Sequence, residues 1–378
     1  MQQTSEHYET RLNIMTKWKK ITGYGIALFI LLQQGCKEKG VEPSHPLKNP
    51  REYTWTIDTL SYPGSFQTLT YDIYASTPQD VWTVGYNDRS GGKMFHFDGK
   101  QWKDVKLYDF QGGKITTGIN LNAIHGFSAN DIWAVGERHY ISRNPPPTFL
   151  DSSLIIHFDG RDWTESIISR GEMLQSVWGS HPSDVWAAGI NTLYHYNGVR
   201  WEKYPIWIPS QGIQFGSIVG TGASDVYMAG FRNDVEQPID SIAYLLYRFN
   251  GQQWAVVDSS IITSNPSSVE KFGARLTVVE GTMFSVGYGV YKKLGNRWEK
   301  LIFTAWPLTR FRGTSVQNLF AVGTESQVYH YNGSDWYRYP QFKGLGKLLT
   351  SVWASSEEVF VAGFTADLPQ KTVILHGK

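Results

Sequence analysis

One short unit recurs from end to end of this 378-residue chain, and its cleanest copy is Leu174–Tyr204, LQSVWGSHPSDVWAAGINTLYHYNGVRWEKY. Four runs in it have strand composition: Leu174–Trp178, Asp184–Ala188, Thr192–Tyr196 and Arg200–Tyr204. β-Branched and aromatic residues fill the runs, while Ser, Pro, Gly and Asn separate them. The third and fourth runs meet at Asn197-Gly198, a pair that predicts a tight type I′ hairpin. Four short antiparallel strands make a small sheet with two apolar faces. It cannot bury both alone, so it requires neighbours of its own kind.

The neighbours are encoded in the same chain. The hairpin recurs as FDGKQW at Phe97, FDGRDW at Phe158, YNGVRW at Tyr196, FNGQQW at Phe249, LGNRW at Leu294 and YNGSDW at Tyr331. The second strand recurs as DVWTVG at Asp80, DIWAVG at Asp131, DVWAAG at Asp184, DVYMAG at Asp225, TMFSVG at Thr282, NLFAVG at Asn318 and EVFVAG at Glu358. The seven second strands thus have only six hairpin tryptophans. The seventh copy stops at VILHGK, after its third strand. A fourth strand without a sheet stands at the other end, in Arg51–Leu60 (REYTWTIDTL), with Trp55 where Trp163 stands in DWTESII. If the N-terminal strand completes the last sheet, the repeats close into a ring with no open edge. The fold predicted is all-β: a seven-bladed β-propeller of four-stranded antiparallel blades over residues 51–378, at about 47 residues per blade.

Residues 1–50 fall outside the ring. Met15–Leu32 carries a basic head at Lys17, Lys19 and Lys20, then an apolar run too short to span a bilayer comfortably but as long as a signal-peptide core. Gln33-Gln34-Gly35-Cys36 follows. This resembles the lipobox of bacterial lipoproteins in its relaxed Bacteroidota-type form, with Gly35 before the cysteine and Gln33 in place of the usual Leu. The resemblance implies that Cys36 is lipidated and becomes the mature N-terminus, which anchors the protein in the cell envelope, most simply the outer membrane. Cys36 is the sole cysteine, so an exported chain has no intramolecular disulfide to form. The organisation expected is an upstream mis-start at 1–14, a signal peptide at 15–36, a Pro-containing flexible tether at 37–50 and the propeller at 51–378.

Composition narrows the partners. With 35 basic against 34 acidic residues, the chain lacks the basic excess that nucleic-acid binding requires. No HExxH, CxxC or DxDxDG motif is present, so neither metal nor cofactor is expected. His96, His157, His195, His330 and His376 recur at one repeat position. Equivalent positions around a ring cannot converge on one ion, so these histidines are read as structural. The repeated Asp at 80, 131, 184 and 225, before the second strand, is read as a turn cap, and the Trp series as packing within and between blades.

Loops between second and third strands, and those between blades, emerge at one end of an up-and-down sheet. They are the long ones here, so one face of the disc carries long loops and the other tight turns. Binding is expected on the long-loop face. Its non-repeated residues are the candidates: Tyr86, Arg89, Arg138, His139, Tyr140, Trp207, Phe231, Arg232, Asp234, Trp306 and Phe364. Arg, Tyr and Trp are the side chains enriched at binding hot spots. The pattern SDVWAAG followed by HYNGVRW resembles bacterial propeller repeats of the WD40, YVTN and BNR-like kind. That resemblance implies the fold and leaves the activity open. The function expected is a monomeric, lipid-anchored, non-catalytic binding or scaffold module for an envelope protein or an extracellular glycan. The alternative is a glycan hydrolase or lyase at the channel mouth, drawing carboxylates from Asp88, Glu137, Asp234, Asp240 and Asp367.

Overall fold

The computed structural model describes residues 47–116, 118–141, 149–166, 172–206, 212–233, 242–262, 271–345 and 347–378. The signal-peptide stretch, Cys36 and most of the tether lie outside these residues, as do Trp207, Asp234 and Asp240. Lys48–Lys378 forms one compact unit.

Seven four-stranded antiparallel sheets make up that unit, each taken in chain order from its inner strand outward, except at the seam. Blade 3 runs Leu174–His181, Asp184–Gly189, Thr192–Tyr196, Trp201–Lys203. Blade 7 takes Lys347–Ala354, Val359–Thr365 and Thr372–Gly377 from the C-terminus, and its outer strand Trp55–Leu60 from the N-terminus. Pairing there runs from Trp55 opposite Gly377 to Leu60 opposite Thr372. The closure inferred from counting hairpins is therefore the closure observed. Trp55 packs edge-on against Tyr339 and Phe342, at ring separations of 5.1 and 4.9 Å.

The repeated residues build the contacts between blades. His96 stacks on Trp82 at 3.9 Å, His157 on Trp133 at 4.0 Å and His195 on Trp186 at 4.0 Å. In each blade the imidazole Nε2 meets the acid that opens the second strand, at 2.7 Å for Asp80, 2.8 Å for Asp131 and 2.6 Å for Asp184. Blade 7 substitutes Glu358 with His376 stacked on Phe360, and blade 4 substitutes Asp225 with Arg248 over Tyr227. The hairpin tryptophan of the following blade then meets the second-strand tryptophan edge-on: Trp163 on Trp82, Trp201 on Trp133, Trp254 on Trp186. The repeated glycine ending the second strand has a steric cause. A Cβ at Gly189 would land on the carbonyl oxygen of Met173, and one at Gly136 on that of Asn120.

At the ring's centre a second system operates that the repeats do not advertise. A side chain on each inner strand bonds the backbone of the next. Asn122 reaches Leu174 O at 2.8 Å, Ser176 reaches Phe215 O at 3.1 Å, and Ser217 reaches Leu276 O at 3.3 Å. Thr277 reaches Phe311 O at 2.5 Å, Thr309 reaches Leu349 O at 2.6 Å, and Thr350 reaches Thr70 O at 2.9 Å. The belt closes where Asp72 accepts from the Ile124 N–H at 3.2 Å.

Two local readings need correction. The Asn197-Gly198 hairpin is not a type I′ turn. Gly198 has φ +88°, but Asn197 is not among the positive-φ residues. Asn197 Oδ1 instead accepts from the Val199 and Arg200 amides at 3.0 and 3.1 Å, and a side-chain-capped four-residue loop results. Several of the long loops are also partly strand. Asp131–Ile141 pairs with Phe149–Phe158 out to Ile141 opposite Phe149, and Asp225–Asn233 pairs with Ile242–Phe249 out to Asn233 opposite Ile242. Backbone pairing carries these hairpins past the edge of the disc.

Candidate binding face and central channel

The structure distributes the sequence candidates among different environments. Tyr86, Arg138, His139, Tyr140, Phe231, Arg232 and Phe364 lie on strands rather than in loops. Arg138 is tied down by both oxygens of Glu165 and by Thr116 O. His139 bridges two carboxylates, with Nδ1 2.6 Å from Asp151 and Nε2 3.0 Å from Glu137. Arg89 is the more exposed, bonding Gly64 O through Nε at 2.9 Å. Trp306 is 55 % exposed on the connection between blades 5 and 6. Among the candidate carboxylates, Asp88 accepts from the Phe66 and Gln67 amides, and Glu137 is buried against Asn120.

His139 and Glu137 belong to a polar cluster between blades 1 and 2 that also holds Lys93. The Lys93 ammonium donates to Asn87 O and to Asn120 Oδ1, and lies over the Tyr86 ring at 5.0 Å. Burial pushes its pKa down to about 8, against the pull of Asp88 and Glu137. The Tyr71 hydroxyl is pushed up to about 12 by burial and by the nearby Glu137 charge.

Five exposed large apolar side chains stand at the long-loop end, while Ile57, Val256, Val257 and Phe303 are exposed on outer strands. Phe66, Phe110, Trp306, Leu345 and Leu368 are all exposed, and all sit on blade-to-blade connections or second-to-third loops. The tight-turn end contributes Val199 among the described residues. Of these five, sequence reading named only Trp306.

Sequence reading placed an alternative site at the channel mouth but named none of the side chains that line the channel. Six of the seven inner strands carry a bulge near their start, for example between Leu121 and Ala123 or between Leu308 and Arg310. A bulge re-aims the extra side chain. Here Tyr71, Asn122, Gln175, Thr309 and Thr350 line a cavity of about 330 Å³ at the long-loop end, together with Arg275 and Arg310. A second cavity of about 330 Å³ opens toward the tight-turn end, lined by Tyr74, His125, Trp178, Trp353, Arg310 and Arg312. Arg310 lines both.

Charge in the channel is unbalanced. Three guanidinium groups, Arg275, Arg310 and Arg312, share the linings with one carboxylate, Asp72. Asp72 is engaged through both oxygens: Oδ1 accepts from Ser351 at 2.6 Å and faces Arg310 Nη2 at 3.3 Å, while Oδ2 takes the Ile124 N–H. Arg275 donates to Gly216 O and Arg312 donates to Thr277 Oγ1 at 2.7 Å, both neutral acceptors. Burial, with repulsion from Arg310, lowers both pKa values to about 10. The imidazole of His125, enclosed by the channel wall, is pushed down to about 4 by burial and by Arg312. The available signal in the sequence was a departure from the repeat: Arg275 and Arg310 stand where other inner strands carry Asp72, Ala123, Ser176, Ser217 or Ser351, and Arg312 where they carry Tyr74, His125, Trp178 or Trp353.

These features define a seven-bladed β-propeller with one elaborated face and a cationic channel. The chain matches no known family, and no curated protein matches it. It is similar in structure to YCF48 bound to a D1 peptide, with TM-score 0.58 and 14 % identity over 88 % of this chain and 98 % of that one. It is also similar to the extracellular domain assigned to a hybrid two component system from B. thetaiotaomicron, at TM-score 0.56 and 11 % identity, over 85 % of this chain but 40 % of that one. The β-propeller domain of Cps50 (Swd1) from Myceliophteria thermophila aligns at TM-score 0.52 and 8 % identity, over 84 % of this chain and 99 % of that one. At these identities the likeness is one of fold.

Proposed function

We propose that this chain is a non-catalytic binding module that holds a protein partner on its long-loop face, tethered to the cell envelope through a lipid on Cys36. The observation that carries the reading is the set Phe66, Phe110, Trp306, Leu345 and Leu368, five exposed large apolar side chains at one end of a rigid disc. Exposed apolar residues gathered on one face mark interaction surfaces. Among the structural neighbours, one is bound to a peptide and one is an extracellular domain. Those are properties of the neighbours, and they agree with this reading. The lipid anchor rests on the basic head, the short apolar run and Gly35-Cys36.

The test is crosslinking in cells of the native chain beside a Phe66→Ser, Trp306→Ser, Leu368→Ser triple variant. A partner recovered by the first and lost by the second, at unchanged thermal stability, supports the reading. Equal recovery by both moves binding off this face and defeats it. Palmitate labelling that persists in Cys36→Ala would overturn the anchor.

A further inference from the structure

We propose that the long-loop end of the central channel is an oxyanion site, in which Arg275 and Arg310 hold the oxygens of a carboxylate or phosphate group and Arg312 adds positive charge from the tight-turn side. The inference is independent of the partner face, since it concerns residues of the inner strands alone.

Three observations support it. Asp72 is the one carboxylate facing three guanidinium groups in the cavity linings, and its oxygens already take Ser351, Arg310 and the Ile124 amide. Arg275 and Arg312 hydrogen-bond neutral acceptors, and share the Asp72 charge with Arg310. Buried charge of one sign without compensation is costly, and a bound counter-charge relieves it. Next, Arg310 is 8 % exposed, yet its Nε has no hydrogen-bond partner among the described residues. Arg310, nine-tenths buried and lining both cavities, thus has donor capacity that the protein leaves unused. Finally, a cavity of about 330 Å³ adjoins Arg310 on each side, with room for a small oxyanion and its waters. Guanidinium is suited to this role because its planar fork donates to two oxygens of carboxylate or phosphate at once.

Asp72 gives the proposal an unusual handle. It is both the structural partner of Arg310 and the internal competitor of any incoming anion. Replacing it by Asn removes the competing charge and keeps one oxygen, enough for the Ile124 amide, while the new NH2 can donate to the Ser351 hydroxyl. Arg275→Gln removes one guanidinium without breaking the Arg310–Asp72 pair.

The experiment is calorimetric titration of the full chain with sodium phosphate and, separately, sodium acetate, at ionic strength fixed with sodium chloride. Saturable binding of at least one probe is expected. Arg275→Gln and Arg310→Gln should weaken it on the order of tenfold each, and Asp72→Asn should tighten it. Binding of phosphate alone assigns a phosphorylated ligand class, and binding of acetate alone a carboxylate. The proposal is overturned if neither probe binds the native chain above the chloride control. It is also overturned if a folded Asp72→Asn variant loses binding as the arginine variants do, because damaged packing would then explain all three. Should Arg310→Gln fail to fold, Arg275→Gln and Asp72→Asn still move in opposite directions. The Phe66/Trp306/Leu368 variant should bind the anion normally, so failure of the partner reading and failure of this one are told apart.

Discussion

Replacing Asp184 by Ala should destabilise the ring by about 2–3 kcal/mol, although the residue touches no binding surface described above. Its Oδ1 accepts from His195 Nε2 at 2.6 Å and its Oδ2 from Ser180 Oγ. Each bond to a charged acceptor is worth about 1.5–3 kcal/mol when made in the folded state. Here the carboxylate side chain is 19 % exposed, so water recovers part of that when the acceptor is removed. His195 also loses the anchor that holds it flat on Trp186 at 4.0 Å, and Trp254 of the next blade packs on that same indole. At about 2 °C per kcal/mol for a chain of this size, the melting temperature should fall by about 4–6 °C. Asp184→Asn should cost about half as much, because blade 6 already works with Asn318 bonding His330 at 3.1 Å. The pH dependence has a defined sign. Burial alone would raise the Asp184 carboxyl, but bonds from His195 and Ser180, with the neighbouring histidine charges, outweigh it and hold the carboxyl below its ordinary range. Its contribution is therefore full at neutral pH and is lost as pH falls below roughly 4, where the unfolded chain takes up the proton first. Scanning calorimetry and urea denaturation of wild type, Ala and Asn variants at pH 7 and pH 3 would measure this. Equal stability of Asp184→Ala and wild type at pH 7 would refute the reasoning, as would a deficit that persists undiminished to pH 3.

Other elements carry their own expectations. Gly189→Ala should cost about 2–4 kcal/mol, since the new methyl meets the Met173 carbonyl and the second strand must move; a urea midpoint equal to wild type would contradict the steric account. Trp55→Ala should remove about 3 kcal/mol from the seam by deleting the packing on Tyr339 and Phe342, and limited proteolysis should then cut first near residue 60. Lys93, with its pKa lowered to about 8 by burial, sheds its proton in the folded state before the unfolded one does. Wild-type stability should therefore gain on Lys93→Met as pH rises from about 8 toward 10, and parallel curves in that window would rule the effect out.

The fold was legible because its determinants recur. Asp184, Trp186, Gly189, His195 and Trp201 each have counterparts in other blades, and recurrence identifies a structural role without any coordinates. The missing seventh hairpin even located the closing strand. What failed to show was whatever recurrence does not mark. Strand pairing beyond the disc, as at His139 opposite Asp151, depends on hydrogen bonding that a Pro-rich stretch nearby obscured. The Asn197 loop follows from a side chain capping two amides, which composition does not separate from a type I′ turn. Arg310 and Asp72 belong to blades 6 and 1, so their ion pair spans blade 7 across the channel and exists only once the ring is shut. Chemistry that depends on closure is invisible to a reading that proceeds repeat by repeat.

The seam brings Thr54 and Lys378 side by side, each amide bonded to the other's carbonyl at 2.9 and 3.1 Å. Topologically this ring has no privileged beginning. Every junction at its centre is held by the same kind of side-chain-to-backbone bond, and the one across the seam, Thr350 to Thr70 O, is as short as the others. A circular permutant with residues 54 and 378 joined by a short linker, and with new ends opened at the Gly198–Val199 turn, keeps every one of those bonds. The order of blades along the gene is thus one of several that encode the same object. Its neighbour relations, and not its starting point, are what the sequence has to preserve.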